Sequence, residues 1–378
     1  MQNINLLIKP ASGNCNMRCR YCFYEDETQN REIASFGIMS EETLEALVRR
    51  TLETAARSCA FMFQGGEPTL AGLPFYRKLI ELVGKYNRRG LQVRYALQTN
   101  GYVIDDEWAA FFKEHGFLIG LSLDGTKDLH DAYRIDAHGE GTWQRTLRAA
   151  KLMERHGVEF NTLTVITSRT ARSIGKIYGF FMRNNLRYQQ YIPCLDPLGE
   201  ERGCHDYSLT PPLYAKFLKT LFDCWYQDRR RGEFVYNRYF ENLAGLLLGQ
   251  PAESCGLNGR CMNQLIVEAD GGVYPCDFYV LDRYRLGNLN TDSFEEIDRN
   301  FAQSGFLEPS LQVDERCKSC EWFFLCRGGC RRDRDPADGG ELTLTYFCES
   351  YREFFPYAVP RLCELVGLPP EQVLNRRR

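Results

Sequence analysis

The sequence predicts an α/β protein, an open, partial (β/α)6 barrel followed by a smaller cysteine-rich domain. Three observations predict it. Up to about residue 195, short β-rich runs alternate strictly with longer amphipathic segments, the pattern of parallel strands joined by right-handed crossovers. Six such units are too few to close an eight-unit barrel. Beyond about residue 232 the alternation stops and cysteines crowd together.

Taken in order, the strand candidates are residues 4–9, 59–64, 92–98, 117–123, 159–167 and 187–193. Between them lie helix candidates at 41–57, 74–89, 106–115, 142–156 and 171–184, and a sixth at 211–231 follows the last strand. Each repeats apolar residues at the helical period, as Leu44, Leu47, Val48 and Leu52 do. A helix at 239–248 bridges to a hairpin marked by Asp270-Gly271-Gly272 between β-rich flanks. Helices at 293–303 and 351–366 complete the chain. The expected division is 1–232 for the barrel, 233–348 for the bridge and cysteine domain, and 349–378 for a closing helix and basic tail.

Composition narrows the function classes. A formal charge of −3 gives no electrostatic case for nucleic acid or an anionic membrane. The runs Arg229-Arg230-Arg231 and Arg376-Arg377-Arg378 are short enough to be a solvated helix end and a frayed tail. No signal-peptide pattern opens the chain, and no stretch approaches the roughly 20 apolar residues of a membrane span. The expectation is a cytoplasmic protein, where thiols stay reduced. Sixteen cysteines in such a protein, clustered as they are, point to metal rather than to disulfides.

The first cluster follows the first strand: Cys15-Asn16-Met17-Arg18-Cys19-Arg20-Tyr21-Cys22. Barrels of this kind place their chemistry at the C-terminal strand ends, which is where this loop falls. A 4Fe–4S cube wants four thiolates, so three leave one iron open for a substrate. A three-thiol zinc site or buried free cysteines are the plainer readings, but no histidine is near to complete a zinc site. The second strand leads into Gln64-Gly65-Gly66-Glu67-Pro68, where glycines permit close backbone approach and a carboxylate can accept from a cationic amine. Gln98-Thr99-Asn100-Gly101 and Ser122-Leu123-Asp124-Gly125 end the next two strands; pocket lining and helix capping both suit them.

Eight cysteines form the second group: Cys255, Cys261, Cys276, Cys317, Cys320, Cys326, Cys330 and Cys348. They match two complete 4Fe–4S cubes or two structural zinc sites. The other five, Cys59, Cys194, Cys204, Cys224 and Cys363, are dispersed and read as buried inert thiols. Asp277, next to Cys276, is either a turn residue or a base held against a cluster.

Together these residues resemble radical S-adenosylmethionine (SAM) enzymes with a C-terminal SPASM domain, and among them the anaerobic sulfatase-maturating enzymes. The likeness runs through residues 6–12, 63–72, 97–101, 194–197, 274–282, 326–332 and 354–361. That family oxidises a cysteine or serine of a sulfatase to formylglycine without oxygen. The resemblance implies that Cys15, Cys19 and Cys22 hold the cluster that cleaves SAM, and that Tyr21, Gly66, Ser122, Arg134 and Leu195 contact SAM, with Glu67 a further candidate for its amine. It implies one auxiliary 4Fe–4S cluster on Cys255, Cys261, Cys276 and Cys330, and another on Cys317, Cys320, Cys326 and Cys348. Asp277 matches the family's proton acceptor. The implied partners are a sulfatase polypeptide bearing a C/S-x-P-x-R segment and an electron donor such as flavodoxin or ferredoxin. Peptide maturases that form thioether or carbon–carbon crosslinks share the cysteines and are the alternative.

Overall fold

The structure is a computed structural model that describes residues 2–336 and 340–375, so the basic run Arg376-Arg377-Arg378 lies outside the described residues. The chain divides into two compact units. The first comprises Met1–Leu123, His130–Asn161 and Met262–Phe306; the second comprises Asp124–Leu129, Thr162–Cys261 and Leu307–Arg378.

In the first unit, strands β1 (Asn3–Ile8), β2 (Ser58–Phe63), β3 (Gln92–Thr99) and β4 (Phe117–Ser122) are neighbours in that order, paired in parallel. In the second, β5 (Phe160–Ile166, counted there from Thr162), β6 (Tyr188–Pro193) and β7 (Tyr236–Asn237) do the same. All six predicted strands are present, each within a residue or two of its expected ends. Burial alternates along β1, with Ile4, Leu6 and Ile8 inside, because successive side chains point to opposite faces of a strand.

The helices follow from the same patterning. Glu41–Thr54 buries Leu44, Leu47, Val48 and Leu52, and the Ser40 side chain caps it by accepting from the Thr43 N–H. Each such leucine contributes about 1.5–3 kcal/mol by leaving water. Aromatic rings fill the space against the first sheet, Tyr76 meeting Phe63, Trp108 and Phe117 edge to face. The helix expected at 171–184 is interrupted instead. Thr167 and Thr170 close a capping box on a single turn, Ser168–Arg172, and the chain restarts at Ile174. In the second unit the long helices Pro211–Arg230 and Cys348–Val366 pack together through Phe222 and Phe354.

Two features were not legible in the sequence. A helix, Phe23–Gln29, follows the cysteine loop directly, with Cys22 as its N-cap. The hairpin at Asp270-Gly271-Gly272 joins the first unit. Its strand β8 (Ile266–Val267) pairs in parallel with β1, Leu7 opposite Ile266 and Ile8 opposite Val267. Strand β9 (Gly272–Tyr274) then pairs antiparallel with β8, and β10 (Gly287–Asn288) with β9. Residues from the cysteine-rich half of the sequence thereby reach the side of β1.

Candidate active site

The cysteine loop leaves β1 at Lys9 and is pinned by backbone. The Arg18 and Arg20 N–H groups donate to the Ile135 and Tyr133 carbonyls at 2.7 and 3.1 Å. Cys15, Cys19 and Cys22 are all partly buried. Burial pushes the Cys15 thiol up to about 12, with the nearby Glu67 carboxylate adding to it, and burial raises Cys22 as well. Thiols so placed carry their protons until a metal cation supplies compensating charge, which suits them as cluster ligands.

Two glycines of the Gln64–Pro68 turn are required by protein contacts. A Cβ on Gly66, whose φ is +50°, would lie 2.2 Å from the Asn14 carbonyl oxygen, so the turn and the cysteine loop touch backbone to backbone. A Cβ on Gly65 would lie 2.5 Å from Cε of Lys9. The sequence reading assigned these glycines to ligand approach, and the structure shows a protein reason for each.

Glu67 is fully buried. Its Oε1 accepts from the Thr69 N–H (3.1 Å), Thr69 Oγ1 (2.6 Å) and Thr99 Oγ1 (2.8 Å), and its Oε2 from the Asn100 N–H (2.8 Å). Burial raises this carboxyl against the pull of those donors. The carboxylate therefore ties the end of β3 to the turn after β2. Asn100 reaches the cysteine loop, donating to Asn16 Oδ1 at 2.8 Å. Ser122 ends β4 and is partly buried, and the Arg134 guanidinium lies 5.5 Å from the centre of the Tyr21 ring. Leu195, in the second unit, follows the end of β6.

Asp277 is buried beyond Cys276, just past the end of β9. Its Oδ2 accepts from Tyr24 Oη at 2.8 Å and from Gln64 Nε2 at 2.5 Å, while Oδ1 is buried with no hydrogen-bond partner. Burial raises its pKa, opposed by Lys9 and by those two donors. Among the protein's own groups desolvation is the largest cause; the cluster charge that the sequence reading invoked is a separate contribution. Beneath it lies a set of charges that sequence reasoning missed. Lys9 Nζ bonds Glu27 Oε2 at 2.6 Å and sits 3.5 Å from Glu268, which Arg31 meets at 3.0 Å. All four side chains are buried. The available signal was a lysine between an apolar strand and the cysteine loop.

In the second unit, Cys326 feels the charges of Cys317, Cys320 and Cys348, which places the four thiols together. Cys330 likewise lies near Cys255 and Cys261, while Cys276 belongs to the first unit. Cys59, Cys194 and Cys363 are buried as expected and Cys224 is partly so, but Cys204 is exposed. It stands on the loop where His205 bonds Glu200 at 2.7 Å, because that loop's polar residues keep it at the surface.

The Radical SAM superfamily model matches residues 10–181, and an iron–sulfur cluster-binding domain model, SPASM, matches residues 255–321. These with the fold define the class: a radical SAM enzyme, an oxidoreductase built on a partial (β/α)6 barrel with a C-terminal SPASM domain. A cysteine-type anaerobic sulfatase-maturating enzyme of Clostridium perfringens is 50% identical over 367 residues, 97% of this chain and 99% of that one. A serine-type enzyme of Bacteroides thetaiotaomicron is 30% identical over 372 residues, 94% and 89% of the two chains. The solved structure of native anSMEcpe with bound AdoMet and Cp18Cys peptide superposes at a TM-score of 0.92 and 48% identity, covering 97% of this chain and 99% of that one. The chain belongs to the anaerobic sulfatase-maturating enzymes. Its cofactors are SAM and 4Fe–4S clusters, three in all.

Proposed function

We propose that this chain oxidises a cysteine or serine, in a C/S-x-P-x-R segment of a sulfatase polypeptide, to formylglycine without oxygen, with Asp277 as the proton acceptor. The observation that carries the reading is the asymmetry of the Asp277 carboxylate. One oxygen is held by Tyr24 and Gln64, and the other is buried and free to accept. Burial strengthens it as a base.

In this reading Cys15, Cys19 and Cys22 hold the SAM-cleaving cluster, and Tyr21, Gly66, Ser122, Arg134 and Leu195 contact SAM, with Glu67 beside them. Cys255, Cys261, Cys276 and Cys330 hold one auxiliary cluster, and Cys317, Cys320, Cys326 and Cys348 the other. When bound, these groups supply electrons in and out and the acceptor for a hydrogen atom from the substrate Cβ. Asp277 Oδ1 takes the proton of the substrate thiol or hydroxyl. A serine then becomes the aldehyde directly, whereas a cysteine passes through a thioaldehyde that water hydrolyses. The same reading divides the chain at residues 232 and 348, places it in the cytoplasm, and gives it flavodoxin or ferredoxin as electron donor, with no nucleic-acid or membrane partner. In support, no helix among the described residues is long and apolar enough to cross a membrane.

The test incubates reduced, reconstituted enzyme with SAM and either peptide, with mass spectrometry for the aldehyde. Asp277→Asn is expected to form deoxyadenosine with little aldehyde. Full turnover by that variant removes the base assignment, and deoxyadenosine with neither peptide altered favours a crosslinking maturase.

A further inference from the structure

Lys9 is wholly buried, and its side chain runs between two parts of the site. Its stem occupies the space that a Cβ on Gly65 would need, so it packs against the turn that carries Gln64 and Gly66. Its ammonium bonds Glu27 at 2.6 Å and lies 4.8 Å from the centre of the Tyr24 ring. The other Glu27 oxygen, Oε1, accepts from the Val280 N–H at 2.7 Å, three residues beyond Asp277. Tyr24 in turn donates to Asp277 Oδ2. Lys9 thus meets the base by two routes, through the ring that bonds its carboxylate and through the carboxylate that holds its turn.

Stability alone does not account for this arrangement. Lys9, Arg31, Glu27, Glu268 and Asp277 place two cations and three carboxylates in one buried volume. Apolar side chains of the same size fill such a volume at less desolvation cost.

We propose that Lys9 is a positioning residue for the Asp277 base: by clamping Tyr24 and the Glu27–Val280 contact, it leaves Oδ1 as the one free acceptor atom of that carboxylate. The inference rests on Asp277 being the base. Lys9 itself exchanges no proton with the substrate. Its effect is on how often the carboxylate stands in the reactive pose.

The experiment compares Lys9→Met, the double variant K9M/E27Q and Asp277→Asn as reconstituted holoenzymes. Assayed at about pH 8, where Glu27 is ionised, the double variant restores the net charge of the buried set and keeps an acceptor near the Val280 N–H, so it separates positioning from charge balance. In both Lys9 variants, iron stays at about twelve per chain, and SAM affinity and peptide KM stay within roughly twofold. Formylglycine per deoxyadenosine falls by about tenfold to a hundredfold, carried in kcat. Amide exchange across residues 276–282 quickens, a readout independent of turnover. If K9M/E27Q recovers full coupling and slow exchange, charge balance alone explains Lys9 and the inference is overturned. If both variants lose their clusters, Lys9 is structural, which overturns it too. Should Asp277→Asn keep full coupling, the base assignment itself fails. Normal Lys9 variants beside an uncoupled Asp277→Asn refute only the role given to Lys9.

Discussion

Glu67→Gln isolates what the buried carboxylate after β2 does. The two side chains share a shape, but a glutamine amide has one acceptor oxygen and one nitrogen that only donates. Glu67 Oε1 faces three donors and Oε2 faces the Asn100 N–H. The best glutamine rotamer keeps the oxygen toward the three and turns the NH2 group against the Asn100 N–H. That exchange loses one charge-assisted bond and sets two buried donors against each other, a cost of about 2–4 kcal/mol. At about 2 °C per kcal/mol for a large chain, the melting midpoint should fall by about 4–8 °C. Calorimetry on the cofactor-loaded protein at one fixed scan rate reads it, since unfolding of such a protein is irreversible. SAM affinity is measured beside it. An unchanged midpoint with SAM binding weakened about tenfold refutes the reasoning, because the carboxylate then serves the SAM amine more than it serves Thr69, Thr99 and Asn100.

Three further outcomes follow from the same geometry. Gly65→Ala forces an L-residue to a φ of +83° and drives a Cβ to 2.5 Å from the Lys9 stem; the left-handed backbone alone costs about 1–2 kcal/mol, so calorimetry should show a clear loss and formylglycine yield should drop with it. Cys348→Ser removes one of the four thiols proposed to hold an auxiliary cluster, so iron should fall from about twelve to about eight per chain while reductive SAM cleavage persists. Glu27→Gln should flatten a pH dependence. Burial raises that carboxyl to about 7 from its ordinary 4.5 against the attraction of Lys9. The folded state therefore binds the extra proton, and stability falls as pH rises through that window. The wild type should lose about 1 kcal/mol between about pH 6 and pH 8 that the variant does not; chemical denaturation at the two pH values measures it.

The strands were legible because each is a short apolar run with a two-residue period, and the cysteine loops because metal ligation demands particular spacings. What the sequence hid had specific physical causes. The helix Phe23–Gln29 is rich in charge, with Glu25, Asp26 and Glu27 in its first turns and no apolar stripe to announce it. The capping box of Thr167 and Thr170 starts a separate turn, Ser168–Arg172, ahead of the restart at Ile174, and apolar periodicity does not sense such polar capping. Lys9 escaped notice because lysines are overwhelmingly exposed, and nothing local says that Glu27 and Glu268 will meet it. Gly65 looked like a ligand-facing glycine until the residue filling its empty side was visible.

The location of the proposed base follows from one short ladder. Two residue pairs, Leu7 with Ile266 and Ile8 with Val267, dock the cysteine-domain hairpin beside β1, and the Lys9 N–H extends the ladder to the Val267 carbonyl at 2.8 Å. A slip of one residue turns every side chain of β8 to the opposite face. Ile266, now packed with Tyr274, Val280 and Leu7, would leave that cluster, and Glu268 would leave Lys9 and Arg31. A two-residue strand gains too little from its own hydrogen bonds to fix register alone. The apolar cluster around Ile266 and the ion pairs at the strand's end do so together, because any other register expels the one and strands the buried charges of the other. The same charges therefore serve twice: with the apolar cluster they select the register that brings Asp277 to Tyr24 and Gln64, and they hold it there.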